Sequence, residues 1–308
     1  MHNESTKALY DFYKLEEKND FFPAYLYLKY IQHFISHVVK NLGIPTRELP
    51  YELGEGLDEM MGAYYQQIAD AGASMDTSIY NAKVLKLKDA VKLFTQEQNL
   101  KIPVSETIVP FKNAKYIIMN NPDSISIGTC PCRESSLTPC LDPPMEVCLF
   151  VGDPFAAFIR DKNKKFRKGT REEAIKILED CHKKGLVHTA WFKKDLGSSF
   201  AMICNCCSCC CLGIRMWNLL EGSVPIMAPS GYVAEVTDDC VGCNTCVDEK
   251  VCHFSAITME EEKAAINYDK CMGCGVCEDA CPEGAIKLKR DPAKGEPLDI
   301  DEMKAAQK

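Results

Sequence analysis

Two copies of one closely spaced cysteine run near the C-terminus constrain this chain more than any other feature. The second run is followed by Pro282 and consists of Cys271, Cys274, Cys277 and Cys281. The first run consists of Cys240, Cys243, Cys246 and Cys252. The tight turns within each run let three thiolates surround one cubane, so the pattern predicts two [4Fe–4S] clusters. A pair of structural zinc sites is the alternative, but it explains neither the third cysteine of each run nor Pro282.

In this spacing the fourth cysteine of each run binds the cluster of the other run. The first cluster is therefore expected to be held by Cys240, Cys243, Cys246 and Cys281. The second is expected to be held by Cys271, Cys274, Cys277 and Cys252.

The region from about 231 to 290 resembles the dicluster ferredoxins, which fold as a small βαββαβ sandwich. The sequence fits that fold, with a first strand at 232–236, a hairpin from 256–259 to 264–267, and a last strand at 285–288. Two positions depart from the usual pattern. Five residues instead of three separate Cys246 from Cys252, and His253 stands where proline is usual. A loop residue is the favoured interpretation of His253, over a metal ligand.

Composition places the chain among ordinary soluble proteins except in its cysteines. Of 308 residues, 46% are hydrophobic and 26% charged, but nineteen are cysteine. Close C-x-x-C spacing in a chain of this length indicates metal binding in a reducing compartment rather than disulfides. We find neither a signal peptide nor an apolar run of membrane-spanning length, and therefore expect a cytoplasmic protein without membrane contact. The formal charge of −8 argues against nucleic acid as a partner.

The remaining sequence predicts an α+β protein of several parts. Residues 1–103 are expected to be helical, with helices at 24–42, 57–71 and 85–94 and a C-cap at Gly43. Residues 104–230 are expected to form a cysteine-rich α/β module, and 231–290 the βαββαβ ferredoxin domain. Within the module we predict a strand at 104–109, a helix beginning within 110–119 and a buried strand at 124–129. Residues 291–308 are expected to be a polar tail.

Eleven cysteines precede residue 231. Cys181 lies on a predicted helix capped by Thr170, and we interpret it as a buried packing thiol. The other ten follow apolar, strand-like segments and are candidate metal ligands: Cys130, Cys132, Cys140, Cys148, Cys204, Cys206, Cys207, Cys209, Cys210 and Cys211. Since the apolar segments need neighbours in a sheet, we expect the early and late cysteines to meet at one sheet edge.

Three motifs occur together in this module: Cys-Pro-Cys-Arg at 130–133, Gly-Leu-Val-His at 185–188, and the cysteine-rich segment 203–211. Together with the following ferredoxin pattern they resemble a poorly characterised group of iron–sulfur proteins of anaerobes. The resemblance covers about residues 105–290 and implies a redox role without a substrate.

The ten candidate ligands have three interpretations: one or more further iron–sulfur clusters, a zinc or other structural metal site, and a redox-active thiol pair. Adjacent cysteines on an extended segment point to opposite sides, so a bend at Ser208 or two separate sites is required. Arg133 is either a counter-charge to an anionic cluster or a surface residue. His188 is interpreted as a core histidine in preference to a ligand.

No glycine-rich nucleotide motif follows a predicted strand. We therefore expect an electron carrier of anaerobic metabolism, whose ferredoxin domain exchanges electrons with a partner protein while the cysteine-rich module relays or stores them. The ferredoxin region has twelve acidic and six basic residues, which fits either a basic partner surface or simple solubility. Whether the chain is an enzyme stays open. One alternative is an iron–sulfur reductase acting on a small molecule or cofactor at the N-terminal cysteines, and another is a zinc-stabilised docking module fused to a ferredoxin.

Overall fold

The computed structural model describes residues 3–15, 21–47, 61–62, 80–111, 114, 116–140, 145–193, 196–223 and 226–307. The predicted helix at 57–71 lies outside this part of the chain except for residues 61–62, which are helical. The other described α-helices are α1 Glu4–Leu15, α2 Phe21–Lys29, α3 Ile31–Asn41, α4 Leu87–Phe94, α5 Pro131–Ser135, α6 Phe155–Lys162, α7 Arg171–Lys183, α8 Leu212–Leu219, α9 Thr245–Asp248, α10 Val276–Ala280 and α11 Ile300–Ala305. The strands are β1 Tyr80–Leu85, β2 Leu100–Pro103, β3 Tyr116–Thr129, β4 Glu146–Asp153, β5 Phe166–Gly169, β6 Val187–Lys193, β7 Ser199–Cys206, β8 Met227–Ala228, β9 Tyr232–Val236, β10 Ile257–Glu260, β11 Lys263–Ile266 and β12 Ile286–Arg290.

One eight-stranded sheet organises the N-terminal two-thirds of the molecule. Its strand order is β2-β3-β4-β7-β6-β1-β8, and β5 pairs with β3. The described strand pairs of this sheet are antiparallel except β1 with β8. The mixture of helices and antiparallel strands confirms the α+β class.

The strand directions bring the cysteine motifs to one edge of this sheet. Strands β3 and β7 end there, and β4 and β6 begin there, because neighbouring strands run in opposite directions. Cys148 of β4 is directly opposite Cys204 of β7. The early and late cysteines therefore meet at this edge, although β4 lies between β3 and β7.

Both faces of the sheet are covered by helices. On one face α1, α2, α3 and α6 pack on residues such as Phe150 and Trp191. On the other face α4 and α7 pack on residues such as Leu149 and Phe192. Adjacent residues of β4 thus point into different cores, as the two-residue period of a strand requires.

The segment predicted as one helix at 24–42 forms two helices, α2 and α3, which separate at Tyr30. The side-chain amide of Asn163 donates to the carbonyl oxygen of Lys29 at 3.2 Å and to the side chain of Gln32 at 2.8 Å. This contact comes from a residue far along the chain, so local periodicity does not reveal it. The predicted C-cap is confirmed, since Gly43 has a φ of 70°.

Two predictions for the segment 104–119 are wrong. Residues 104–109 form a turn, in which the carbonyl oxygen of Ser105 accepts bonds from the amides of Ile108 and Val109. Residues 116–119 lie in β3 instead of a helix, because they pair with the whole of β2. The expectation of a helical region at 1–103 also needs correction, since β1 and β2 belong to the main sheet. Sheet pairing overrides local propensity at these positions.

The ferredoxin region has the strands that the sequence predicts. Strand β9 pairs with β12, and β10 pairs with β11, in two separate antiparallel ribbons. Among the described helices, none has both the length and the apolarity needed to cross a membrane.

Residues 291–308, expected to form a polar tail, instead return to the main sheet. Leu298, Ile300 and Met303 are buried in the same core as α4. Lys92 of α4 forms an ion pair of 2.7 Å with Asp299. The three apolar side chains, spaced within a generally polar segment, are the reason that it docks.

Lys83 of β1 gives the fold a pH-dependent stability. Its side chain is buried, and this burial, reinforced by nearby Arg290, lowers the pKa of Lys83 to about 7 from 10.5. The folded protein therefore binds fewer protons than the unfolded chain between these two values. We expect the contribution of Lys83 to the free energy of unfolding to rise with pH by at most about 1.4 kcal/mol per pH unit.

The substitution Lys83→Met should flatten the rise of unfolding free energy between about pH 7 and pH 10, measured by denaturant unfolding of anaerobic protein. Lys176→Met is the control, because that lysine side chain is 73% exposed. An unchanged slope in Lys83→Met would contradict the assignment.

Candidate iron–sulfur sites

The eight ferredoxin cysteines line two separate small cavities. One cavity of about 20 Å³ is lined by Cys240, Cys243, Cys246 and Cys281. The other, also about 20 Å³, is lined by Cys252, Cys271, Cys274 and Cys277. We call them the outer site and the inner site. Each contains three cysteines of one run and the fourth of the other, the grouping that the sequence predicts.

Backbone amides point at the thiols that cross between the two runs. The amide of Ala256 donates to the Cys252 sulfur, and the amide of Ala285 donates to the Cys281 sulfur, both at 3.3 Å. The two bonds have the same offset of four residues, as expected of a pseudo-twofold fold. Amide-to-sulfur bonds stabilise thiolates and tune the potential of a bound cluster.

The two sites differ in exposure. Cys243 of the outer site is exposed, and neighbouring Val241 is 68% exposed. Cys271 and Cys277 of the inner site are buried. Burial raises the pKa of Cys274 in the inner site to about 12, so a free thiol there stays protonated at neutral pH. A bound metal supplies the positive charge that this thiolate needs.

The inner site faces the cysteine-rich module through the two departures from the ferredoxin pattern. The longer loop after Cys246 carries His253 outward, where its Nδ1 accepts the backbone N–H of Ser208 at 3.1 Å. Its Nε2–H donates to the carbonyl oxygen of Gly185 at 2.8 Å. His253 is thus the loop residue that the sequence predicts, with a bridging position that the spacing alone does not indicate.

At the cysteine-rich edge of the main sheet, a third cavity of about 30 Å³ lies under the N-terminal helices. We call it the sheet-edge cavity. Its cysteines come from both predicted groups: Cys130, Cys132, Cys148, Cys204, Cys206, Cys207, Cys210 and Cys211. Its roof is formed by Tyr27, Ile31 and Ile35 of α2 and α3, whose apolar spacing predicted only a packing role.

Cys140 and Cys209 form a second group with Cys207 and Cys210, which also line the sheet-edge cavity. Their sulfurs and those of Cys207 and Cys210 all lie within 4.8 Å of one another. We call these four the compact group. Adjacent cysteines on an extended segment cannot all face one site. The segment 204–211 has both of the features that would resolve this, a bend at Ser208 and two groups of cysteines.

Arg133 lies between the two groups and is only 1% exposed, so its interpretation as a surface residue is wrong. Its Nη2 donates to the Cys207 sulfur at 3.8 Å. A hydrogen bond from Cys210 and then the Arg133 guanidinium lower the pKa of the Cys207 thiol to about 5. A buried guanidinium is stable only beside negative charge, so this position suits thiolates bound to metal.

Two other residues have the structural roles that the sequence predicts. Cys181 is fully buried and lies outside the compact group and the sheet-edge cavity lining. His188 is fully buried, and its Nδ1 bonds to the amide oxygen of Asn205 at 2.7 Å. Burial and His182 lower the pKa of His188 to about 3, so the ring is neutral. His182 in turn contacts Asp279 of the ferredoxin region at 2.5 Å, a contact between regions that no sequence motif indicated.

Comparison with known proteins assigns the C-terminal region. Residues 239–297 match the family described as 4Fe-4S dicluster domain. Together with the fold and the paired cysteine sites, this match establishes a [4Fe–4S] dicluster domain of the ferredoxin class, and its cofactors are [4Fe–4S] clusters.

Individual proteins are also similar to parts of this chain. Pyruvate synthase subunit PorD of Methanothermobacter marburgensis is 41% identical over 54 residues, which is 18% of this chain and 60% of that protein. An uncharacterised ferredoxin of Methanocaldococcus jannaschii is 34% identical over 86 residues, 28% of this chain and 51% of that protein. Ferredoxin-1 of Caulobacter vibrioides is 42% identical over 67 residues, 21% of this chain and 59% of that protein. The chain thus spans between half and three-fifths of these relatives. No solved structure matches it.

Replacing Arg133 should weaken metal binding by the cysteines around it. In Arg133→Met, which keeps much of the side-chain volume, the buried thiolates lose their counter-charge. We expect metal affinity at residues 130–211 to fall on the order of 10- to 100-fold. The measurement is retention of iron and other metals during titration with a chelator.

Arg133→Lys is the matched variant, since it keeps a positive charge, and it should retain more metal than Arg133→Met. Iron held by the ferredoxin region should be equal in all three proteins. Equal retention in the methionine and lysine variants would contradict a role for the charge.

Proposed function

We propose that this chain is an iron–sulfur electron-transfer protein in which the ferredoxin domain exchanges electrons with a partner protein and the cysteine-rich module relays or stores them. The clusters supply one-electron chemistry when bound. The observation that carries the proposal is the contact of the inner-site loop with the cysteine-rich bend, through His253 and Ser208.

The ligand sets follow the cavities. Cys240, Cys243, Cys246 and Cys281 would hold one ferredoxin cluster, and Cys252, Cys271, Cys274 and Cys277 the other. A further cluster would be held in the sheet-edge cavity by four of its six cysteines outside the compact group, namely Cys130, Cys132, Cys148, Cys204, Cys206 and Cys211. Neighbouring thiols of this set contact one another in pairs, but among the described residues only the compact group has three or more ligand atoms all within 4.8 Å. The six thiols therefore do not converge on one point as the ligands of a single ion do, which favours a cluster in this cavity.

The difference in exposure between the two ferredoxin sites indicates which of them would exchange electrons with the partner protein. The outer site presents exposed Cys243 and Val241 to solvent, and the acidic side chain of Glu283 lies beside it. A partner with a basic surface would dock there. Several relatives of the domain are subunits of oxidoreductases, including pyruvate synthase, which supports a protein partner. The inner site faces the cysteine-rich module.

The first test is a count of iron and labile sulfide in anaerobically purified full-length protein. We expect more than eight irons per chain, because the ferredoxin sites account for about eight. Cys132→Ser and Cys204→Ser should each lower the count by about four irons. Cys181→Ser is the control, since its thiol is buried outside the cavity lining, and it should lose none. A wild-type count that never exceeds eight would refute the relay.

The second test concerns His253. In His253→Ala, the ring's contacts with Ser208 and with the carbonyl oxygen of Gly185, which hold the inner-site loop on the cysteine-rich module, are lost. We expect electron transfer from the ferredoxin sites to the module to slow on the order of 10- to 100-fold. Rapid photoreduction followed by freeze-quench electron paramagnetic resonance measures this rate.

Asn218→Ala is the matched control, because Asn218 donates to the backbone carbonyl of His253 at 2.9 Å but makes no bond to its ring. It should change the rate less than His253→Ala at equal iron content. Equal slowing in both variants would show that the loop position alone matters and not the imidazole bridge.

A further inference from the structure

The compact group has the dimensions of a site for one metal ion. Cys140 lies 3.3 Å from Cys207 and 3.5 Å from Cys210, measured between sulfurs. Cys209 lies 3.3 Å from Cys207 and 3.7 Å from Cys210. A tetrahedron of thiolates around an ion with metal–sulfur bonds of about 2.3 Å has edges of about 3.8 Å. These four distances are close to the edges of such a tetrahedron, whereas the Cys140 and Cys209 sulfurs, which are in bonding contact, have to move apart to bind a common ion.

A cubane does not fit the same four sulfurs. Thiolates on one [4Fe–4S] cluster lie roughly 6–7 Å apart, because each binds a different iron. No three sulfurs of the ferredoxin cysteines all lie within 4.8 Å of one another, whereas the four sulfurs of the compact group do. The same chain thus contains both kinds of spacing, and the compact group has the shorter one.

A simple disulfide explains the compact group less well. The structure joins Cys140 to Cys209 as a disulfide, but their Cα atoms are 7.1 Å apart. Disulfides usually have Cα atoms about 4.4–6.8 Å apart. A disulfide also gives no reason for the Cys207 and Cys210 sulfurs to approach the same two cysteines. A shared ion accounts for all four approaches.

The charge around the compact group suits a tetrathiolate site. Four thiolates and one divalent ion carry two net negative charges. The buried guanidinium of Arg133, whose Nη2 is 3.8 Å from the Cys207 sulfur, offsets one of them. The backbone N–H of Ser208, within the same bend, is already bonded to His253. The site is closed by four protein ligands, which is typical of structural ions and not of catalytic ones.

We propose that Cys140, Cys207, Cys209 and Cys210 bind a single thiophilic divalent ion, Zn²⁺ or Fe²⁺, separate from every cluster. The proposal rests on the proposed function only in assigning the cluster of the module to the sheet-edge cavity. The ion fastens the loop that carries Cys140 to the bend at 207–210. Since Ser208 of that bend holds His253, the ion also fixes the surface on which the inner ferredoxin site rests.

The experiment compares metal and labile sulfide in full-length protein purified anaerobically as wild type, Cys140→Ser and Cys209→Ser. Each variant should lose about one metal ion per chain and no labile sulfide. Cys132→Ser is the contrasting variant, which should lose iron and sulfide together. A lost zinc ion identifies Zn²⁺, and a lost iron without sulfide identifies Fe²⁺; either outcome supports a single-ion site.

X-ray absorption of the wild-type protein keeps the test valid if the variants fail to fold. At the edge of the identified metal we expect an ion with four sulfur neighbours at about 2.3 Å and no nearby iron shell. Equal losses of iron and sulfide in Cys140→Ser would overturn the proposal in favour of a cluster. A Cys140–Cys209 disulfide in metal-replete protein, shown by mass spectrometry, would also overturn it. A protein with eight irons and one zinc would refute the relay but support the single ion.

Discussion

The crowding of cysteine side chains at one sheet edge is the constraint on which this molecule depends. Ten cysteines lie near the ends of β3, β4 and β7, and five of them are buried, namely Cys148, Cys206, Cys207, Cys210 and Cys211. Ionising several of them in a low-dielectric interior is possible only with positive charge among them, from metal and from the one buried guanidinium, Arg133. The roof of α2 and α3 keeps water from supplying that compensation. Under the proposed assignment the cavity would depend on its bound cluster, which would also tie together strands distant in sequence.

The ferredoxin region could be predicted from the sequence in detail, because its structure is determined by residues that are close together in the sequence. The offsets between cysteines dictate turns, and the turns dictate which thiols share a site. The departures at Cys252 and His253 were also visible, but their purpose was not. It depends on Gly185 and Ser208, residues that become neighbours of His253 only when the two regions pack.

The cysteine-rich module was predicted in part. The apolar strands before Cys130 and Cys204 indicated that both groups reach one sheet edge. The division of the ten cysteines between a cavity and a compact group was not predictable, because it depends on the bend at 207–210 and on Cys140 arriving from a distant loop. The errors at 104–119, 1–103 and 291–308 have one origin. Each segment is given its structure by a partner strand or core that lies far away in the chain.

The packing of the C-terminal segment on the main sheet determines how the ferredoxin region is attached to the rest of the protein. Strand β8 precedes it and pairs with β1, while α11 follows it and packs beside α4, so both ends are fastened to the same body. The region is therefore an insertion within a larger domain and not a separate domain attached at one end. Because both of its ends are anchored, the region cannot swing between partners on a single flexible linker. In the proposed function, electrons exchanged at the outer site would therefore cross a fixed distance to the cysteine-rich module, and a redox partner would have to come to the protein.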